Sequence, residues 1–226
     1  MLTRVSILIR MRDVGLSLAA ASHYNQLLNR IRLQKFVYLL DVMVYLVQLL
    51  PPSERHVTYK HGPYDAGIQN AVDCLAFRGL ARISEIQREP DGKTYARYAL
   101  TTAGMDWVSE LLFDPEFRIR SSVAASIAKE VNSIGWEQLR TLVYAEPTFV
   151  SARSHGYGTK LEPNDPLRNS AALVLETMKR GLRSGLEKAT LSPDLLFRLF
   201  FRYLKEFSQL KDQRLGLSRI DTGGEF

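Results

Sequence analysis

Cysteine is almost absent: Cys74 is the only one among 226 residues. An internal disulfide framework is therefore excluded, and so is a zinc site built from several thiolates. Histidine is scarce as well. The four, His23, His56, His61 and His155, are scattered rather than set at metal-ligand or triad spacing. Long apolar runs are missing too. The best candidate, residues 37–50, is interrupted by Asp41 and Gln48 and falls short of the roughly 20 residues that a bilayer needs. Residues 5–9 are apolar, but Arg10, Arg12 and Asp13 cut the run off, leaving it too short and too charged for a signal-peptide core. There is no Gly-rich phosphate loop followed by Lys-Ser/Thr, no metalloprotease helix pair and no nucleophile elbow. These absences set the expectation of a non-catalytic, cytoplasmic chain with no metal, no cofactor and no membrane span.

What is present is an ordinary folded composition, 46% hydrophobic and 24% charged, long enough to bury one sizeable core or one core with a helical appendage. The formal charge is +6. Such a balance suits a nucleic acid, an acidic protein partner, or simply a mildly basic surface; charge alone does not choose between them.

Leu8, Met11, Val14 and Leu18 recur at helical spacing and predict a first helix over residues 1–22. Residues 26–50 predict a second, apolar on nearly every side. Such a helix is either the core helix of its domain or part of a subunit interface, which leaves a homodimer open. Asp41 interrupts it and calls for a cation, with Lys35 or Arg32 the nearest in sequence. Pro51-Pro52 ends it. A short strand over 57–60 and a His61-Gly62-Pro63-Tyr64 turn follow. Asp65 is placed to cap a helix that buries Ile68, Val72, Leu75 and Phe77, with Cys74 packed beside them, and stops at Gly79. Residues 81–87 and 94–100 read as two strands joined through Asp91-Gly92. Thr101 or Thr102 caps a helix carrying Met105, Val108, Leu111 and Leu112, which Asp114-Pro115 closes.

Helix, turn, helix, ribbon, helix is the order of a winged helix. The expected fold class is mainly α with a small antiparallel β-ribbon: a winged-helix-like domain at 1–114 and a helical continuation at 115–154 that includes Ile119 and Trp136 on its inner faces. A loop at 155–165 lies within a loop-rich stretch over 146–166, and a C-terminal helical extension occupies 166–226, with Ser192-Pro193 splitting its two helices. On that reading the extension can be removed while residues 1–150 stay folded.

Four separated motifs carry a resemblance. Arg32-Leu33-Gln34-Lys35-Phe36-Val37-Tyr38 opens the second helix; His61-Gly62-Pro63 makes the turn; Leu75 to Leu80 ends the third helix in Gly79-Leu80; and Tyr98-Ala99-Leu100-Thr101-Thr102-Ala103-Gly104 links strand to helix. Together they resemble the YwgA-like family and the related Panacea-domain (SocA-like) antitoxins, over residues 26–154. Tyr144-Ala145-Glu146-Pro147, with Ser151 and Ser154 beyond, is similar to the ending of that pattern, at a tighter spacing. The resemblance implies a winged-helix-like fold without a catalytic centre, acting as a binding module in toxin–antitoxin or phage-defence settings. Its partner would be a protein, a toxin or a subunit of a defence complex.

Two surfaces then become candidates. For a protein partner, Phe197, Phe200, Phe201, Tyr203 and Phe207 form an aromatic series interleaved with basic residues in the last helix, and buried aromatic anchors dominate interfaces. The alternative use of that series is packing onto the domain. For DNA, the helix before the ribbon enters the major groove in winged helices. Gln69, Asn70 and Arg78 lie on it, and Arg88, Lys93 and Arg97 on the ribbon. Asp65, Asp73, Glu85, Glu89 and Asp91 oppose these cations, whereas duplex affinity comes largely from phosphate neutralisation. The basic excess lies elsewhere: Arg4, Arg10, Arg12, Arg30, Arg32 and Lys35 near the first two helices, and a further set in the last two, including Arg198, Arg202 and Lys205. His61 reads as a turn residue, and His155-Gly156-Tyr157-Gly158 with Lys160 as a loop suited at most to a small anion.

Overall fold

The computed structural model describes residues 4–44, 56–88, 94–161, 170–185 and 193–220. The chain is mainly α-helical with a small antiparallel sheet. Helix α1 (Arg4–Ser22), strand β1 (Leu28–Asn29) and helix α2 (Arg30–Val44) come first, then a hairpin of β2 (Val57–Tyr59) and β3 (Gly62–Tyr64), then helix α3 (Ala66–Phe77). The ribbon is β4 (Ala81–Arg88) with β5 (Thr94–Leu100). Helices α4 (Thr102–Leu111), α5 (Pro115–Ile134), α6 (Trp136–Ala145), α7 (Pro147–Arg153), α8 (Ser170–Gly185) and α9 (Pro193–Ile220) follow. Strand β1 joins the ribbon in the antiparallel order β1-β5-β4, with Leu28 opposite Tyr98 and Ala81 opposite Leu100. The element order is the one expected of a winged helix, with the β2–β3 hairpin inserted between the second and third helices.

Helix α2 starts four residues later than the apolar pattern suggests. Leu28 and Asn29 are extended, and the Asn29 side chain accepts a hydrogen bond from the Arg32 amide at 2.9 Å. Asn competes with helix for its own backbone and so marks a start rather than an interior. From Leu33 to Val44 every residue of α2 is buried, because α1, α3, α5, α6 and β3 all pack on it. It is the core helix. Residues 45–55 and the Asp91-Gly92 turn lie outside the described residues.

The core runs without a break from Met11 in α1 to Leu204 in α9. That corrects the picture of a removable C-terminal extension: Leu196, Phe197, Phe200, Phe201 and Leu204 are all buried, and α9 packs on α5 and α6. The stretch after Ala145 is also less irregular than its Pro and Gly content suggests. Glu146 caps α7, and residues 156–161 lie along β2, where the Thr58 amide donates to the Thr159 carbonyl at 2.8 Å and the Leu161 amide to the His56 carbonyl at 2.8 Å. Phe77 is 94% exposed rather than inward. It follows the buried Leu75 by two positions, about 200° around the helix. Leu8, Met105 and Ile119 are also on the surface. Cys74 is half-buried against the core.

Asp65 and Thr101 cap α3 and α4 as their positions predict, the Asp65 carboxylate accepting from the Gly67 amide at 2.7 Å and the Thr101 hydroxyl from the Gly104 amide at 3.1 Å. Gly104 has a steric role. A Cβ at this position would sit 1.9 Å from the Leu80 carbonyl oxygen, the acceptor for the Thr101 amide that ties ribbon to helix. Gly104→Ala is expected to destabilise the fold by ~3 kcal/mol; a thermal midpoint unchanged from wild type would show that the ribbon–α4 junction is not held there.

Candidate functional site

From Leu33 onward, helix α2 is apolar except along one line. Gln34, Tyr38 and Asp41 recur at four- and three-residue intervals and so share a face, with Lys35 at its margin. Each has found a partner on a different element. Gln34 grips the Asp65 backbone from both sides: its amide nitrogen donates to the Asp65 carbonyl at 2.8 Å, and its oxygen accepts from the Asp65 amide at 2.8 Å. Lys35 donates to the His61 carbonyl at 2.6 Å. Tyr38 donates to Glu146, whose carboxylate also accepts from the Thr148 and Phe149 amides at 2.9 and 2.8 Å. Burial pushes the Glu146 carboxyl up against the pull of these bonds, and burial together with the Glu146 charge pushes the Tyr38 phenol well up. Gln34, Lys35 and Tyr38 are therefore clamps that fix α3, the hairpin and α7 to the core helix.

Asp41 has a larger role. Its carboxylate accepts from Arg10 at 2.7 Å and from His56 Nε2 at 2.8 Å, not from Lys35 or Arg32. Lys35 and Asp41 lie six positions apart, which puts them on different faces of one helix. Arg10 is wholly buried and also donates to Asp65 at 2.6 Å and Asp13 at 3.3 Å. Asp13 in turn accepts from Arg120 at 3.1 Å. Three carboxylates thus face two guanidiniums and an imidazole in the centre of the fold. Burial works against ionising Asp41, but the Arg10 charge and the His56 bond outweigh it and hold the carboxyl below its ordinary value. Asp13 goes the other way: burial and the neighbouring Asp41 charge push it up to about 6. Because Asp65 is both the α3 cap and an Arg10 partner, the cluster pins α1, α2 and α3 together. It is a structural hub. Among the described residues no three His, Cys, Asp or Glu side chains are placed to hold a metal ion, and no helix is long and apolar enough to cross a membrane.

The accessible chemistry lies at the other end of the same line of residues. A cleft of about 530 Å³ opens at the start of α2, between the β2–β3 hairpin and the β5 edge. Arg30, Gln34, Lys35, Tyr59, Tyr64 and Tyr95 line it. Two cations of α2, Arg30 and Lys35, line it, and they and Arg32, which is not among the lining residues, each lie over an aromatic ring of another element. The Arg30 guanidinium is 5.7 Å from the Tyr64 ring centre, Arg32 is 5.1 Å from Trp136, and Lys35 Nζ is 5.4 Å from Tyr144. The rings fix the cations without neutralising them, and among the described residues none of the three has a carboxylate within ion-pair distance. Burial, with Arg140 nearby, lowers the Lys35 ammonium to about 8. Burial and the Arg97 charge lower Arg32. Gly62 makes the approach of Lys35 possible: its backbone has φ +101°, and a Cβ would stand 3.3 Å from the Lys35 ammonium. A larger cleft of about 770 Å³ lies between α5, α6 and α9, but Glu130 and Glu206 line it and Arg202 is already paired with Glu206 at 2.9 Å.

The residues proposed from sequence fare unevenly. Phe197, Phe200 and Phe201 are buried in the chain's own core; Tyr203 and Phe207 are half-buried and stacked in series with Phe200. The packing use of the aromatic helix is the correct one, so these five do not form an exposed anchor. Gln69 donates to Asp73 at 2.9 Å and accepts from the Tyr98 hydroxyl at 3.2 Å, which engages the side chain that would read a base. Asn70, Arg78 and Arg88 are exposed. Arg97 pairs with Glu85 at 2.8 Å, and Lys93 lies outside the described residues. Arg10 contributes nothing to surface charge, and Arg12 is stacked on Phe117 at 4.8 Å. His61 is in the turn as expected, and His155 is exposed. The cleft is not legible in the sequence because its walls come from five elements; the only signal is Arg30 and Lys35 with no acid between them. No protein-family model matches the chain, and no curated protein matches it.

Proposed function

We propose that this chain is a non-catalytic interaction module, of antitoxin or phage-defence type, that binds an acidic stretch of a protein partner in the cleft at the start of α2. The observation that carries this reading is the pair of cations held on aromatic rings, Arg30 and Lys35, that line an open cleft with no carboxylate among the described residues within ion-pair distance. Arg with tyrosine or tryptophan is the chemistry of interface hot spots. The buried acids and bases support it from the other side: Asp13, Asp41, His56 and Glu146 are committed to holding the fold. The resemblance of the α2, turn and ribbon motifs to the YwgA-like and Panacea groups points the same way.

A second reading, a winged-helix DNA-binding regulator, is favoured by one observation. Burial and the nearby Arg97 charge disfavour the charge of Arg32, and a polyanion would relieve that. Against it stand the engaged Gln69, the exposed Asp73 and the Arg97–Glu85 pair.

The two separate in a binding assay on the full chain at low salt, with labelled oligoglutamate and a labelled short duplex as probes. Oligoglutamate is expected to bind, to lose about tenfold on Arg30→Glu, and to be indifferent to Gln69→Ala with Asn70→Ala. Its affinity is also expected to fall as pH rises through about 8, where Lys35 loses its proton. Duplex affinity that drops steeply with salt and disappears in the Gln69/Asn70 double variant would establish the regulator instead.

A further inference from the structure

One edge of β5 is left open where the cleft begins. Strand β1 covers β5 only at Tyr98 and Arg97, opposite Leu28 and Asn29. At Arg30 the chain turns into α2. Beyond that point, alongside Ala96 and Tyr95, no strand among the described residues occupies the position next to β5. Both residues line the cleft. On its other side β5 pairs with β4, but irregularly: Tyr95 faces Gln87 and Arg97 faces Ser84, so Glu85 and Ile86 stand opposite Ala96 alone. That is a β-bulge, and Glu85 takes a positive φ of 51° within it. Bulges of this kind sit at sheet edges and beside binding sites, where they twist a strand and re-aim its side chains.

A free edge is a template for another strand. In most proteins it is blunted by charge or covered. Here it opens into a cleft whose side chains are cationic and aromatic, with Arg30 at one end and Lys35 on the floor. We infer that the partner's acidic stretch enters as an extended strand, adding to β5 in line with β1 and presenting carboxylates on one face to Arg30 and Lys35. This rests on the protein-binding reading above and specifies its geometry. Main-chain hydrogen bonds to the edge would supply affinity and alternate side chains specificity, which is the logic of strand addition. About three residues of added strand, at ~3.3 Å each, span the open segment, and the cleft volume falls within the roughly 300–1,000 Å³ of ordinary binding sites. The tyrosines at 59, 64 and 95 would flank the apolar side chains that alternate with the acids.

The test uses the full chain and a fluorescein-labelled octapeptide of alternating Glu and Val, read by anisotropy. Three comparators accompany it: the same peptide N-methylated at every Val, its Lys–Val counterpart, and a single-stranded octathymidylate. The Glu–Val peptide is expected to bind, to weaken at least about tenfold on N-methylation, since one row of donors is lost, and to weaken about tenfold against Arg30→Glu. Arg30 is on the surface, so that variant keeps its fold. The Lys–Val peptide should not bind. Equal binding of the methylated and unmethylated peptides would overturn strand addition while leaving an acidic protein partner in place. Binding of octathymidylate without the peptide would overturn both, and binding of the Lys–Val peptide would remove the charge argument.

Discussion

Replacing Arg10 with methionine is expected to lower the unfolding free energy by about 3–5 kcal/mol, the usual cost of removing one member of a buried ion cluster. The reason is what remains: Asp41, Asp13 and Asp65 are each almost wholly buried, and each loses a charged donor at once. Denaturant unfolding at neutral pH measures it. The carboxylates should then differ sharply from one another. Asp41 has a depressed folded-state value, so its contribution is present above the ordinary carboxylate range and is lost as pH falls through that depressed value. Asp13 is raised to about 6. Its contribution is present below the ordinary carboxylate value and is lost as pH rises through about 6, so at neutral pH its charge is a cost rather than a support. Asp41→Asn is therefore expected to be severe at pH 7 and Asp13→Asn mild. The reverse order would mean that Asp13, not Asp41, is the principal counter-ion of Arg10.

Truncation before α9 should be more damaging still. Five large apolar side chains, Leu196, Phe197, Phe200, Phe201 and Leu204, would leave the core. At ~1.5–3 kcal/mol each, their loss rivals the roughly 5–15 kcal/mol by which whole domains are stable. A chain ending at residue 192 is expected to lose its cooperative unfolding transition and to bind hydrophobic dyes. If instead it unfolds at the same denaturant concentration as the full chain, α9 is an appendage after all and its aromatics are available to a partner.

Local patterns made most of the architecture legible. Asp65 and Thr101 announce helix starts, Gly79 a stop, and the alternation over 94–100 a strand, because each depends on neighbours in sequence. The periodicity of residues 26–50 placed the core helix correctly but not its first turn, since Asn29 interacts only with its own surroundings. Long-range pairing was less accessible. Nothing in the chain near Asp41 indicates that its partner is Arg10, thirty-one positions earlier, because charge pairing in a folded core follows packing geometry. The same limit applied to the aromatic last helix. An amphipathic pattern announces a buried face without saying whether the cover is the chain itself or a partner. The cleft shares this character: its cations are visible in the sequence, and only the fold brings Tyr64 beneath Arg30 and Tyr144 beneath Lys35. Gly62 and Gly104 were readable as turn and junction residues, whereas the close approaches that require glycine there became apparent only with Lys35 and Leu80 in place.

The most direct test of the account is amide chemical-shift mapping of the ¹⁵N-labelled full chain during titration with the Glu–Val octapeptide. The shifts are expected to concentrate in residues 28–35, 59–64 and 95–97, around the start of α2 and the open edge of β5. Shifts confined to 66–78 and 81–88, reproduced by a short DNA duplex, would contradict it and place the working surface on α3 and the ribbon.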